Sequence, residues 1–447
     1  MSEKRRFLSA LGALALPVIV QNLLSSAVGT ADTLMISCVG QNELAAVSLA
    51  NQLFFVLSLF FAGLTGSTAI MLSQYMGKGD EKRVGRLFAM ACAVSEIVCA
   101  AFALIAICLP QAVMRILTND AVLIGEGSLY LRMVGVSYLF MGVSQIYLVL
   151  LKARQKSRRS MVIGVTTMLI NVALNAVFIF GLLGAPKLGI KGVALATCIA
   201  RAAELVICAA DLIGRKPAVP DGRFEKALFG DFVRVCAPLT VQGFVWGGAM
   251  ACISAIMGHL GAEVVAAHAV AAVVQNIATV ASFGLADAGG ILLGKELGAG
   301  EFARAKACSK WLLQSAVCFG VVCSVLMLMA EGFVLRTVSL SAQAQAYFGV
   351  MYKILSVNVV FAAITYTMLC GVFPSGGDTR YGLLLDGTVM WSLVALGALA
   401  AFVLKWNPII VFVLLSVDEL AKTLPVLMHY RKGTWIKNIT RENNEEA

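Results

Sequence analysis

The sequence predicts an all-α membrane protein: twelve transmembrane helices in two six-helix lobes, related by a pseudo-two-fold axis along the membrane normal. Three observations predict it. Of 447 residues, 60% are hydrophobic and 13% charged, with a mean hydropathy of +0.87, whereas soluble domains carry about 25% charged residues. The apolar residues gather into twelve runs, and about 20 such residues cross a bilayer core. The two halves also repeat each other at one constant offset.

The first six runs cover 11–37, 46–71, 87–109, 129–151, 161–183 and 189–213. The basic segment before the first is followed by apolar sequence of full membrane length, so it is read as a span and not as a cleavable leader. A polar stretch, 214–231 (GRKPAVPDGRFEKALFGD), holds two prolines and mixed charges and cannot stay in lipid. The last six runs cover 232–257, 264–293, 311–330, 348–373, 383–403 and 408–428. The expected division is an N-lobe 1–213, a cytoplasmic linker 214–231, a C-lobe 232–430 and a cytoplasmic tail 431–447.

The repeat is read residue by residue. Pro17 and Gln21 of PVIVQ recur as Pro238 and Gln242 of PLTVQ, an offset of 221. The same offset pairs Gly63 with Gly284, Gly77-x-Gly79-Asp80 with Gly298-x-Gly300-Glu301, Arg132 with Lys353, and Arg201 with Lys422. An even number of spans per repeat makes the halves parallel, with a site between them.

Charge placement sets the orientation. Most of the 35 Lys and Arg residues fall at the N-terminus, in the even-numbered loops and in the tail. The odd-numbered loops hold Arg115, Lys187, Lys191, Arg336 and Lys405. Both termini are therefore expected in the cytoplasm of a multi-pass protein of the cell membrane. The same distribution accounts for the net charge of +10 without nucleic acid. The twelve cysteines lie mostly in apolar runs with no CxxC pair, and read as small buried hydrophobes. There is no HExxH, no Cys/His ligand cluster and no convincing Ser/His/Asp set, so neither an enzyme nor a metal site is expected.

The first span contains the residue on which function is expected to turn. Gln21, Ser25, Val28 and Asp32 share one helical face. Pro17 frees a backbone carbonyl, so the helix can bend there. A carboxylate in mid-membrane costs about 2.5–3.5 kcal/mol or more and normally faces water or a partner. Low dielectric disfavours the charged form of Asp32, which suits a reversible proton carrier.

Taken together, Pro17 and Asp32 in the first span, the GKGD and GAGE segments, GGDTR (376–380) and the ending DELAK…RKGTW (418–435) resemble the multidrug and toxic compound extrusion family. The resemblance covers essentially the whole chain. It implies two six-helix lobes around a V-shaped cleft, and antiport of organic cations and other drugs against H⁺ or Na⁺. It also implies a coupling site of Asp32, Asn171, Asn175 and Thr197. With Asn at 175 the cluster carries one negative charge, which favours a single proton. The C-lobe acids of the Na⁺-coupled branch look replaced by Trp246 and Ala363. No cofactor is implied beyond the coupling ion, H⁺ or Na⁺. The expected partners are small-molecule drugs or organic cations and membrane lipid, with the chain acting as a monomer.

Other polar residues read more plainly. Arg201 with Glu204, and Asp418 with Lys422, are spaced for ion pairs along one helix. Glu96 has no evident partner and is a candidate for the cavity. Asp287 and Asp386, in C-lobe spans, are candidates for attracting a cationic substrate or for a second proton site. His259 and His268 read as packing residues. Trp246, Phe283, Tyr138 and Met141 are candidates for a plastic drug cavity. A lipid-linked oligosaccharide or lipid flippase of the wider superfamily is the alternative, and would call for a cationic cleft. A channel fits two parallel repeats around a cleft less well.

Overall fold

The computed structural model describes residues 2–215, 223–338 and 340–441. The first half forms α1 (Glu3–Ser37), α2 (Gln41–Lys78), α3 (Glu81–Cys108), a short α4 (Pro110–Leu117), α5 (Ala121–Ala153), α6 (Ser157–Phe180) and α7 (Ile190–Arg215). The second half forms α8 (Lys226–Gly258), α9 (Ala262–Gly298), α10 (Phe302–Thr337) and α11 (Ala342–Tyr366). A π-helical turn, Thr367–Val372, carries α11 into α12 (Phe373–Ser375). Then follow α13 (Thr379–Leu385), α14 (Trp391–Ala398), α15 (Pro408–Ser416) and α16 (Asp418–Lys432), with further π turns at Asp386–Met390 and Leu399–Val403. Among the described residues there is no strand. Eleven of these helical stretches are long and apolar enough to cross a membrane.

The offset read from the sequence reappears in the helix boundaries. Adding 221 to the first residues of α2, α3 and α5 gives the first residues of α9, α10 and α11.

Two expectations are corrected. The run 408–428 is not one helix but two, α15 and α16, parted at Val417. Asp418 and Glu419 occupy the first turn of α16, where the positive end of the helix dipole favours carboxylates. Residues 110–117, outside every expected span, form α4, opened by Pro110 at its first turn, where a missing N–H costs nothing. The expected linker falls partly on 216–222, and the end of the expected tail on 442–447, outside the described residues.

The chain packs as two compact units. One comprises Val20–Leu72 and Asp80–Val233; the other comprises Met1–Ile19, Ser73–Gly79 and the chain from Arg234 onward. Sequence order and packing thus differ at two places. Phe7, Leu11, Leu14 and Ala15 of α1 belong to the apolar cluster of Leu285, Leu292, Leu312 and Phe373. Pro17 lies two residues before α1 passes from one unit to the other.

The paired glycine motifs explain how the end of α2 packs. Gly77 lies against the Lys295 carbonyl and Gly298 against the Gln74 carbonyl, each too close for a Cβ. Gly79 and Gly300 have φ of 80° and 79°, the left-handed region that glycine enters without steric cost. In each motif the first glycine permits a helix contact and the second ends the helix.

The segment after α16 closes over this contact. Trp435 is fully buried and stacks on Tyr430 with ring centroids 6.0 Å apart. The buried Gln74 donates from Nε2 to the carbonyls of Ser375 (2.6 Å) and Lys437 (3.3 Å), and its Oε1 accepts from the Ile439 amide (2.9 Å). Replacing Gln74 with Leu, similar in volume, leaves these backbone groups unpaired at about 1–3 kcal/mol each. The expected outcome is a lower midpoint for thermal unfolding in detergent, with earlier proteolytic cutting after residue 432.

Candidate functional site

The site is built on the inner face of α1. Thr33 on this face bonds back to the Gly29 carbonyl of its own helix at 2.9 Å. Gln21, Ser25, Val28 and Asp32 all line a cavity of about 560 Å³ enclosed by α1, α2, α5, α6 and α7.

Asp32 is held from α6. Asn175, 1% exposed, donates from Nδ2 to Asp32 Oδ1 at 2.8 Å and to Asn171 Oδ1 at 3.3 Å. Asn171 donates to Thr197 Oγ1 at 3.4 Å, and Thr197 donates to the Val193 carbonyl at 3.0 Å. The direction of this chain follows from its last member. A carbonyl only accepts, so Thr197 spends its proton there and takes one from Asn171. The Asn171 oxygen then faces Asn175, whose amide nitrogen faces Asp32. Asn175 Oδ1 remains buried with no hydrogen-bond partner, an acceptor lone pair next to a carboxylate.

The rest of the wall is aromatic and polar. Phe54 and Tyr138 stack with centroids 6.0 Å apart, and Met141 lies one turn beyond Tyr138. Glu204, 2% exposed, accepts from Arg201 Nη1 at 2.7 Å and from Gln145 Nε2 at 2.7 Å. Lys152 also lines the cavity. The acidic and basic side chains of the lining are therefore Asp32, Glu204, Arg201 and Lys152, two of each sign.

The structure brings together Gln21, Ser25, Asp32, Asn171, Asn175, Thr197, Tyr138 and Met141. Pro17 lies one turn before this face. Trp246, Phe283, Asp287 and Asp386 belong to the other unit and do not line this cavity. Trp246 packs against a buried apolar cluster that includes Ala249 and Val394. Phe283 stacks on Tyr366 at 4.5 Å, and Asp287 is exposed on α9. The expectation for Asp386 as a cavity residue is corrected. It is 5% exposed, with one oxygen 3.3 Å from Lys422 Nζ and the other 2.8 Å from Gln242 Nε2. Glu96 does not line the cavity either; its carboxyl lies against Gly142 of α5. His259 and His268 make edge contacts to Phe402 and Phe412.

Gln145 and Lys152 were missed as cavity residues, although the signal was present. Positions 138, 141, 145, 148 and 152 follow one face of α5 at helical spacing. Extending the Tyr138–Met141 face would have found them.

Known proteins bear on this arrangement. A family model described as MatE matches residues 17–177 and 238–398, two stretches offset by 221 at both ends. The chain is 28% identical over 331 residues to a probable multidrug resistance protein NorM of Rhizobium meliloti, covering 70% of this chain and 68% of that protein. It is 24% identical over 335 residues to the multidrug resistance protein PmpM of Pseudomonas aeruginosa, covering 73% and 69%. The solved outward-facing conformation of a multidrug resistance MATE family transporter superposes with a TM-score of 0.87 at 16% identity, covering 97% of this chain and 98% of the other, a likeness of fold.

The ion pair in the cavity wall yields a stability prediction. Losing one partner of a fully buried pair costs about 3–5 kcal/mol. Arg201 keeps 31% of its side chain exposed, so the water it already meets reduces that cost. Glu204→Leu is expected to destabilise the protein by about 1–3 kcal/mol. Glu204→Gln, which keeps an acceptor for Arg201, is expected to lose less. Thermal unfolding of the two variants beside the parent checks the order.

Proposed function

The chain belongs to the multidrug and toxic compound extrusion (MatE) family, and from that premise we propose that it is a secondary active exporter of organic cations and drugs, driven by inward H⁺ through Asp32. The observation that carries this reading is a carboxylate in the wall of a cavity large enough for a small organic molecule, held by a single amide donor.

In this reading the halves 1–213 and 232–430 act as the two lobes, joined by 214–231, in the cell membrane with both termini in the cytoplasm. The Lys and Arg asymmetry of the loops supports the orientation. Ionised Asp32 attracts a cation into the aromatic cavity. With the site open to the outside, a proton neutralises Asp32 and removes that attraction. α1 rearranges about Pro17, cargo leaves, the lobes rock, and the proton is released inside. If Asp32 binds its proton a hundredfold more tightly in one state than in the other, the coupling is about 2.7 kcal/mol. That would shift the balance between the states a hundredfold.

H⁺ is preferred to Na⁺ because the cluster offers one formal charge. Hard cations of this kind are held by several oxygen ligands. The unpartnered Asn175 Oδ1 beside Asp32 is the observation that keeps Na⁺ as the second reading. For the flippase alternative, Arg201 and Lys152 supply positive charge, but Asp32 and Glu204 cancel it.

The test is efflux of a monovalent organic dye cation from proteoliposomes, driven separately by a pH gradient and by a Na⁺ gradient. The pH gradient is expected to drive efflux and the Na⁺ gradient alone is not. One H⁺ exchanged per monovalent cation makes the flux insensitive to membrane potential. Asp32→Asn is expected to cut pH-driven efflux by at least about tenfold, equivalent to some 1.4 kcal/mol. Undiminished efflux in that variant removes Asp32 from the mechanism, and efflux driven by Na⁺ alone replaces the coupling ion.

A further inference from the structure

The second half contains a charge cluster that the reading above does not use. Lys422 of α16 is 1% exposed and lies among three carboxylates. Its Nζ is 2.7 Å from Glu419 Oε1, 3.3 Å from Asp386 Oδ1 and 3.4 Å from Asp418 Oδ2. The three acids are 3%, 5% and 6% exposed. Neutral donors complete the shell. Gln242 Nε2 donates to Asp386 Oδ2 at 2.8 Å, and the Thr365 hydroxyl donates to Glu419 Oε2.

The charges do not balance. Three ionised carboxylates against one ammonium leave two negative charges in a buried site. The N-terminus of α16, where Asp418 and Glu419 sit, offsets roughly half a charge. Among the described residues, the remaining neighbours bring no cation. Tyr366 of α11 and Cys370 of the following π turn are the titratable groups facing Glu419 and Lys422, and Asp287 of α9 lies beyond Cys370. α15 contributes only apolar residues and Ser416. Each uncompensated buried ion costs several kcal/mol. A proton on one carboxylate removes one such charge at once.

The repeat supplies an independent comparison. Subtracting 221 takes Lys422 to Arg201 and Asp418 to Thr197. In the first half this basic residue faces one carboxylate, Glu204, and the pair is balanced. In the second half the equivalent cation faces three. The excess of acid is particular to the second copy.

We propose that the Asp386–Asp418–Glu419 cluster around Lys422 is a second proton-binding site, holding at least one exchangeable proton at neutral pH. Two carboxylates sharing a site divide one proton between them, and Lys422 keeps the remaining negative charge in place. The proposal does not depend on Asp32.

Infrared spectroscopy tests it without transport. The protein is reconstituted in lipid with Asp32→Asn and Glu96→Gln, so that neither of those carboxyls contributes. The expected spectrum at neutral pH retains a protonated-carboxylic C=O band that fades on alkaline titration and returns on acidification. Adding Asp386→Asn and Glu419→Gln leaves Lys422 paired with Asp418 alone, a balanced site, and the band is expected to disappear. Should that combined variant fail to fold, Asp386→Asn and Glu419→Gln are read singly, and each is expected to reduce the band at least by half. No protonated band in the starting background overturns the proposal, as does a band that survives both substitutions unchanged.

Discussion

The contact between Asn175 and Asp32, 2.8 Å long, is the constraint from which the first unit is understood. A carboxylate in mid-membrane persists only with a partner or with access to water, and here it has a partner on one side and a cavity on the other. The partner is buried and fixed from behind through Asn171, Thr197 and the Val193 carbonyl. The cavity lies in front. A donor chain ending on a cavity gives Asp32 a defined position in the cavity wall.

The two halves share a helical framework and differ in what they bury. Glycine pairs at 77/79 and 298/300 end matching helices in the same way. Gln21 and Gln242, equivalent in the repeat, show the divergence. Gln21 lines the open cavity and leaves Oε1 without a partner. Gln242 is spent on Asp386 in a closed cluster. At this position one copy leaves a buried glutamine oxygen unpaired in a cavity wall, and the other commits its glutamine to a carboxylate.

Much of this was legible in the sequence, because helical periodicity and the repeat are local patterns. The face of Gln21, Ser25 and Asp32 needed only a turn angle, and the twelve runs needed only hydropathy. The resemblance to a known family brought Asn171, Asn175 and Thr197 to the same place. What the sequence hid depends on long-range pairing. The destination of Gln74, bonded to residues some 300 positions away, has no local signature. Nor does Asp386, whose partner Lys422 lies on another helix and already had a nearer acid at Asp418. The break at Val417 was legible in part: Ser416, Asp418, Glu419, Lys422 and Thr423 crowd polar residues into the middle of the run, where Asp418 and Lys422 read instead as an ion pair along one continuous helix.

The backbone of the second half departs from regularity beside its charge cluster. α6 runs from Ser157 to Phe180 as one regular helix, while its counterpart is interrupted by a π turn that begins at Asp386. A second π turn, Thr367–Val372, follows Tyr366 on α11, where α5 continues unbroken. Such turns hold one residue more than an α turn and rotate the side chains on either side. Asp386 directs its carboxylate to Lys422 from the start of one of these turns, and Cys370 lies within the other. Tolerating the looser backbone is reasonable only if the contacts it permits return more than it loses. Here the π turn permits the 3.3 Å contact of Asp386 with Lys422 and the 2.8 Å contact with Gln242, which give partners to a carboxylate that burial would otherwise leave bare.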